Sequence, residues 1–420
     1  MLTLRHLWRT KEVRSSILFL IAMFFIYRFA AHIPVPGIDS TGLSSFFQSN
    51  QFFGLLNVFS GGTLENFSIV ALGVAPYITS SIIFQLLSMM IPKLEEMQKE
   101  EQGRQKINQW TRMLTVPLAV LQAYGLILLL RQQAASLIEP GFWPIFLAII
   151  AMTAGTIFIM WVGELISEKH IGNGISIMIF AGIVAGLPSF LQQTIAVYDS
   201  SQIVTLILFV VALLFTIVGV VIMNEGQRNI PVKYARQINT ARFSGGVSTH
   251  LPLRVNMAGV MPIIFALSLV IFPTIFAQFF LEAKTLWIQA VATKTIEIFA
   301  NQWIYGLIYF ALVFGFSYFY TSVIFHPDRI AENLQKQGGF IPGIRPGQPT
   351  ANYLMWVANR ILFFGGLFLG FIAILPLIVQ YITGNASMII GGTSLLIVVA
   401  VVIDSVKQIE GQVAMHEYEM

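Results

Sequence analysis

The chain has 420 residues and no cysteine; 56% of it is hydrophobic, only 10% is charged, and its mean hydropathy is +0.76. A soluble domain carries about 25% charged residues, so this composition describes a polytopic membrane protein. The lack of cysteine excludes disulfides, thiolate-held zinc and a cysteine nucleophile.

In chain order, residues 1–15 are basic, with Arg5, Arg9, Lys11 and Arg14. Apolar runs of about 18–25 residues, the length that crosses a bilayer as helix, follow. They lie at 16–34, 68–91, 113–130, 142–163, 174–191, 203–223, 257–279, 303–325, 354–380 and 386–403. They predict ten spans and an all-α fold, the first run being a retained helix rather than a cleaved leader. Residues 57–87 stand apart. A Gly-rich segment with Gly61 and Gly62 leads into an apolar run holding Pro76 and several hydroxyl residues. Irregular backbone at membrane depth is tolerated only where it lines a cavity or is buried in protein. The pattern therefore suggests a half-inserted segment followed by a full span, although an ordinary outer loop fits it equally.

Ten spans put both termini on one side. That side, with the loops after spans 2, 4, 6 and 8, collects 20 of the 24 Lys and Arg residues, so the positive-inside rule makes it cytoplasmic. Two of its loops, 224–256 and 326–353, exceed what a turn between helices needs. The first holds five basic residues against one acid. Length with Gly, Pro and positive charge marks a functional or disordered loop, and basic protrusions suit acidic partners. The alternation in IPVKYARQ points weakly to a hairpin strand.

Chemistry is sparse. The six histidines, at 6, 32, 170, 250, 326 and 416, are far apart, and His416-Glu417 lacks a second histidine at metalloprotease spacing. There is no phosphate-binding loop, and neither a cofactor nor a metal is implied. The glycines at 365, 366 and 370, like those at 182 and 186, read as close helix packing. Mid-span positions are poor in ionisable groups, whereas ion-coupled transporters keep coordinating groups there. The chain reads as a conduit rather than a pump or an enzyme.

Specific words then accumulate: IPVPG at 33–37, NVFSGG at 57–62, ALGVAPYITSSIIFQLL at 71–87, HIGNGISI at 170–177, IFAGIVAGLP at 179–188, STHLPLRVNMAGVMP at 248–262, FIPGIRPG at 340–347 and GGTSLLIVV at 391–399. Together, and in this order, they resemble the SecY family of protein-translocation channels. The resemblance implies ten helices in two inverted pseudo-symmetric halves, 1–195 and 196–420, around a central pore. It implies export of unfolded preproteins and sideways release of apolar helices into lipid.

By the same resemblance the pore ring is Ile78, Ile82, Ile175, Ile179, Ile264 and Ile397. The plug is about 57–67, with Asn57, Phe59, Ser60, Gly61, Gly62, Leu64 and Glu65. The lateral gate, between spans 2–3 and 7–8, holds Thr79, Gln122 and Asn256. Arg236, Arg242 and Arg345 form the cytoplasmic docking face. The implied partners are SecE, SecG, the SecA motor ATPase, the ribosome, preprotein signal sequences and membrane lipids, at the cytoplasmic membrane. The alternative from another class is a secondary transporter with discontinuous helices.

Overall fold

The computed structural model describes residues 11–36, 63, 67–133, 141–169, 171–196, 203–234, 248–281, 285–383 and 389–419. Helices dominate. In order they are α1 (Lys11–Ala30), α2 (Ala75–Met90), α3 (Pro92–Lys99), α4 (Glu101–Gln133), α5 (Phe142–Glu168), α6 (Gly174–Ala196), α7 (Ile203–Glu225), α8 (Met261–Phe279), α9 (Leu286–Ala300), α10 (Gln302–Ile324), α11 (Pro327–Lys336), α12 (Gln348–Thr383) and α13 (Ile389–Glu419). Strands β1 (Gln227–Tyr234) and β2 (Ser248–Arg254) lie between α7 and α8, and β3 (Gly339–Phe340) lies between α11 and α12.

Each apolar run of the sequence has most of its length on one of these helices. Five described helices are long and apolar enough to cross a bilayer: Val13–Ala30, Glu101–Leu128, Phe142–Glu168, Gln302–Lys336 and Gln348–Val379. The bent pair Ala75–Met90 and Pro92–Gln98, broken by 114°, makes a sixth if counted as one. Gly174–Gly186, Leu213–Glu225 and Met261–Thr274 are shorter apolar helices. The described residues thus give fewer full-length spans than the ten read from the sequence.

The second span starts later than expected. Ser68 was its predicted first residue, but the helix begins at Ala75, and 67–74 is a series of turns. Gly73 has φ +54°, a left-handed geometry that ends any helix begun before it. The turns are tied to the end of α1: Val35 N–H donates to the Phe67 carbonyl at 3.0 Å, and Ile69 N–H donates to the Ile33 carbonyl at 3.0 Å. Thr63 Oγ1 donates to the Val70 carbonyl at 3.0 Å. Irregular backbone here is hydrogen-bonded inside protein, as membrane depth requires. Phe67, with φ +40°, anchors it in an apolar cluster with Val35, Leu126, Ile127, Leu130 and Met152.

The two long loops meet. β1 and β2 pair antiparallel from Gln227↔Arg254 to Lys233↔Ser248, so the hairpin hinted at by alternation is real. β3 adds to the other edge through Lys233↔Phe340 and Tyr234↔Gly339, giving the order β2-β1-β3. Beneath the sheet Ile230, Val232, Leu253, Leu334, Ile341, Leu354 and Val357 form a separate buried cluster. The two loops are therefore one small folded unit.

Aromatic side chains mark both ends of the helices. Trp110, Trp161 and Trp356 are exposed near the end that bears the sheet, and the Arg360 guanidinium lies 3.8 Å from the centre of the Trp356 ring. Trp143, Trp303 and Tyr381 are exposed at the opposite end, the last two in edge contact at 5.0 Å. Two such girdles are what a bilayer selects at its two interfaces.

Candidate functional site

The main apolar cluster draws from helices far apart in the chain. Ile78 and Ile82 of α2, Ile179 of α6, Ile264 of α8 and Ile397 of α13 are all at most 5% exposed within it, and Ile175 packs against it. Ile78 and Ile82, like Ile175 and Ile179, are i, i+4 pairs and share a helix face. α8 packs on α2, and α13 packs on α6. The six expected ring residues are thus brought to one apolar body, together with Met261, which is partly buried against it.

Close helix crossing holds part of this body in place. Gly174, the first residue of α6, abuts α5 so tightly that a methyl group there would lie 1.7 Å from the Gly163 carbonyl oxygen. Ile175 is the next residue. The packing reading also holds for 365–370: methyl groups at Gly366 and Gly370 would meet Phe314 and Phe310 of α10 at 3.2 and 2.8 Å. It does not hold at Gly186, where a methyl group would meet nothing within 4 Å.

A cavity of about 480 Å³ lies one helical turn from the isoleucines, on the sheet-bearing side. Ser176 and Ile177 of α6, Met257 to Met261 leading into α8, Tyr320 of α10 and Val401 of α13 line it, with Arg254, Asp404 and Lys407 among its charged groups. Its lining mixes apolar side chains such as Ile177, Val260 and Val401 with polar and charged ones such as Asn256, Arg254 and Asp404.

Two of the three polar gate candidates meet, and the third bonds elsewhere. Gln122 Nε2 of α4 donates to Thr79 Oγ1 of α2 at 3.4 Å, so this pair lies within one half of the chain. Asn256 Nδ2 donates to Asn224 Oδ1 at 2.7 Å and to the Gly259 carbonyl at 3.1 Å, within the other half. α8 instead packs directly on α2 and α4. Sequence reading missed Asn224 and Lys407, because their partners are distant: Lys407 Nζ reaches Glu225 Oε1 at 2.8 Å and the Asn224 carbonyl at 3.4 Å.

Arg345 is exposed in the turn between β3 and α12, whose backbone is fixed by Thr350 Oγ1 donating to the Arg345 carbonyl at 2.8 Å. Arg236 and Arg242, and all seven plug residues from Asn57 to Glu65, lie outside the described residues. Among the described residues, no three His, Asp or Glu side chains converge as a metal site.

The family model for SecY matches residues 68–406. The "Protein translocase subunit SecY" of Corynebacterium glutamicum is 43% identical over 433 residues, covering 98% of both chains. That of Halalkalibacterium halodurans is 43% identical over 429 residues, covering 99% of this chain and 98% of its own. The chain belongs to the SecY family. Solved structures agree in fold. "The structure of a protein conducting channel" aligns with a TM-score of 0.62 at 16% identity, covering 94% of this chain and 91% of that one. A structure described as "The plug domain of the SecY protein stablizes the closed state of the translocation channel and maintains a membrane seal" aligns with a TM-score of 0.64 at 18% identity, covering 93% and 90%.

Proposed function

We propose that this chain is the channel subunit of a protein translocase. It passes unfolded preproteins across the cytoplasmic membrane and lets apolar helices leave sideways into lipid. It is a conduit, not an enzyme. The observation that carries the reading is the gathering of six isoleucines from four helices into one apolar body, with a cavity of mixed apolar and charged lining one turn away. A narrow apolar constriction gates by dewetting. Apolar contact is also non-directional, so the same ring fits around any side chain in transit. The seal therefore has no sequence preference.

Residues 57–67, carrying Asn57, Phe59, Ser60, Gly61, Gly62, Leu64 and Glu65, act as a plug on the outer side. The halves 1–195 and 196–420 part along a seam between α2 and α4 on one side and α8 and α10 on the other. Both termini face the cytoplasm. The sheet-bearing unit, with Arg236, Arg242 and Arg345, docks the SecA motor ATPase or the ribosome, and SecE and SecG complete the complex. Support for the ribosome comes from a neighbour of similar fold, described as "Sec61 in the Canine ribosome-channel complex from the endoplasmic reticulum".

The test is site-specific photocrosslinking during transport of a preprotein arrested midway. Probes at positions 78, 179, 264 and 397 should capture the arrested chain, and a probe at exposed Phe364 should capture lipid. Capture of the preprotein at Phe364 and not at the isoleucines rejects the pathway.

A further inference from the structure

We infer that α9 is an interfacial helix, lying in the lipid headgroup region at the end of α8 and α10 opposite the sheet, with Trp287, Val291 and Ile298 turned to lipid. Its 15 residues rise about 22 Å at 1.5 Å each, short of the roughly 30 Å hydrocarbon core, so it does not span.

Its sides differ at helical spacing. Ile288, Ala292, Thr295, Ile296 and Phe299 face inward; Ala292 is buried and the others are half-buried. α9 packs against both α8 and α10. Gln289, Thr293 and Glu297, four residues apart, form an exposed polar row. The remaining arc is apolar yet open: Trp287 is 68% exposed and Val291 57%, with Ile298 also exposed, whereas Leu286 opens the helix in line with the polar row. Lys294 sits within that arc, where a long stem can lie along apolar surface while its ammonium reaches water.

A helix with one face on protein, one apolar face open and one polar row fits only where water and hydrocarbon meet. Continuity fixes the occupant as lipid. α9 runs through Asn301 into α10, whose first residues, Trp303, Ile304 and Leu307, are exposed apolar side chains, and Trp303 stacks edge-on against exposed Tyr381. Trp287 therefore extends an aromatic girdle already present on the neighbouring helices.

Because the chain has no cysteine, Trp287→Cys, Val291→Cys, Gln289→Cys and Thr293→Cys can each carry a fluorophore without background. The assembled complex is placed in phosphatidylcholine vesicles with iodide, or with nitroxide lipids labelled near the headgroup or at the chain end. Labels at 287 and 291 should be quenched several-fold more by the shallow nitroxide than by iodide or the deep nitroxide. Labels at 289 and 293 should favour iodide. Val291→Cys keeps Trp287 and Ile298 in place, so it reports the position even if Trp287→Cys fails to assemble. Equal iodide access at all four positions would put the helix in water and overturn the inference. Protection of 287 and 291 from every quencher would mean that a protein subunit covers this face, and would overturn it equally.

Discussion

Asn256, on the strap that enters α8, donates its amide to Asn224 at the end of α7 across 2.7 Å, and both side chains are buried. Lys407 of α13 reaches the Asn224 carbonyl and the Glu225 carboxylate from the other side. Asn224 is thus the meeting point of α7, α8 and α13. If the seam opens, these three ends move as one body against α2 and α4.

Removing that meeting point should therefore weaken the second half as a unit. Asn224→Ala leaves the buried Asn256 amide with only the Gly259 carbonyl, and a lost buried hydrogen bond costs about 1–3 kcal/mol. The melting temperature of the purified complex should fall by a few degrees. Lys407→Ala, which removes a half-exposed ion pair, should cost less, because exposed pairs are worth about 0–1 kcal/mol. Equal losses would show that Asn224 is not the centre.

Gly174→Ala should be poorly tolerated. Its methyl group would collide with the Gly163 carbonyl, and forced overpacking costs about 1–3 kcal/mol or more. It would also push Ile175 off the apolar body. Gly186→Ala meets open space and should accumulate and melt like the parent. Accumulation and thermal stability in detergent separate the two.

How much of this was legible in the sequence depended on range. Apolar runs reveal themselves by length alone, and the β1–β2 hairpin showed through the alternation in IPVKYARQ. β3 could not, because its two residues pair with Lys233 and Tyr234 more than a hundred positions away. The late start of α2 was hidden because Val70, Ala71 and Leu72 are as apolar as the helix that follows; Gly73 was the readable signal. α9 was missed because its mixture of Leu, Trp, Gln, Thr, Lys and Glu reads as loop until its three faces are seen. The isoleucines carry no signal of their own: an isoleucine in a membrane helix is ordinarily core or lipid-facing, and only the family resemblance picked out these six.

The docking unit should be separable from the channel. Arg345→Glu reverses an exposed charge on a turn whose backbone is held independently by Thr350. Membrane insertion of the variant should be unchanged while preprotein transport falls at least tenfold, since each tenfold step is about 1.4 kcal/mol. Binding of the motor or ribosome should weaken as salt rises, because exposed charges are screened over about 8–10 Å. Normal transport by Arg345→Glu would remove this residue from the docking face.

The seam can be locked. A disulfide between introduced cysteines at facing positions in the sheet-side halves of α2 and α8 should block export until it is reduced, because α8 packs on α2 where the proposed seam runs. Export that continues through a fully crosslinked seam would mean that the halves do not part there.

The central claim is that the gathered isoleucines form the seal, and single-channel conductance of the purified complex in planar bilayers tests it most directly. Ile78→Asn, Ile179→Asn, Ile264→Asn and Ile397→Asn, singly and combined, place hydrogen-bonding groups where the apolar ring excludes water and ions. The account predicts a resting ion conductance that rises with each added substitution. Resting conductance that stays at the parent level in the combined variant would contradict it, and the seal would have to lie elsewhere in the chain.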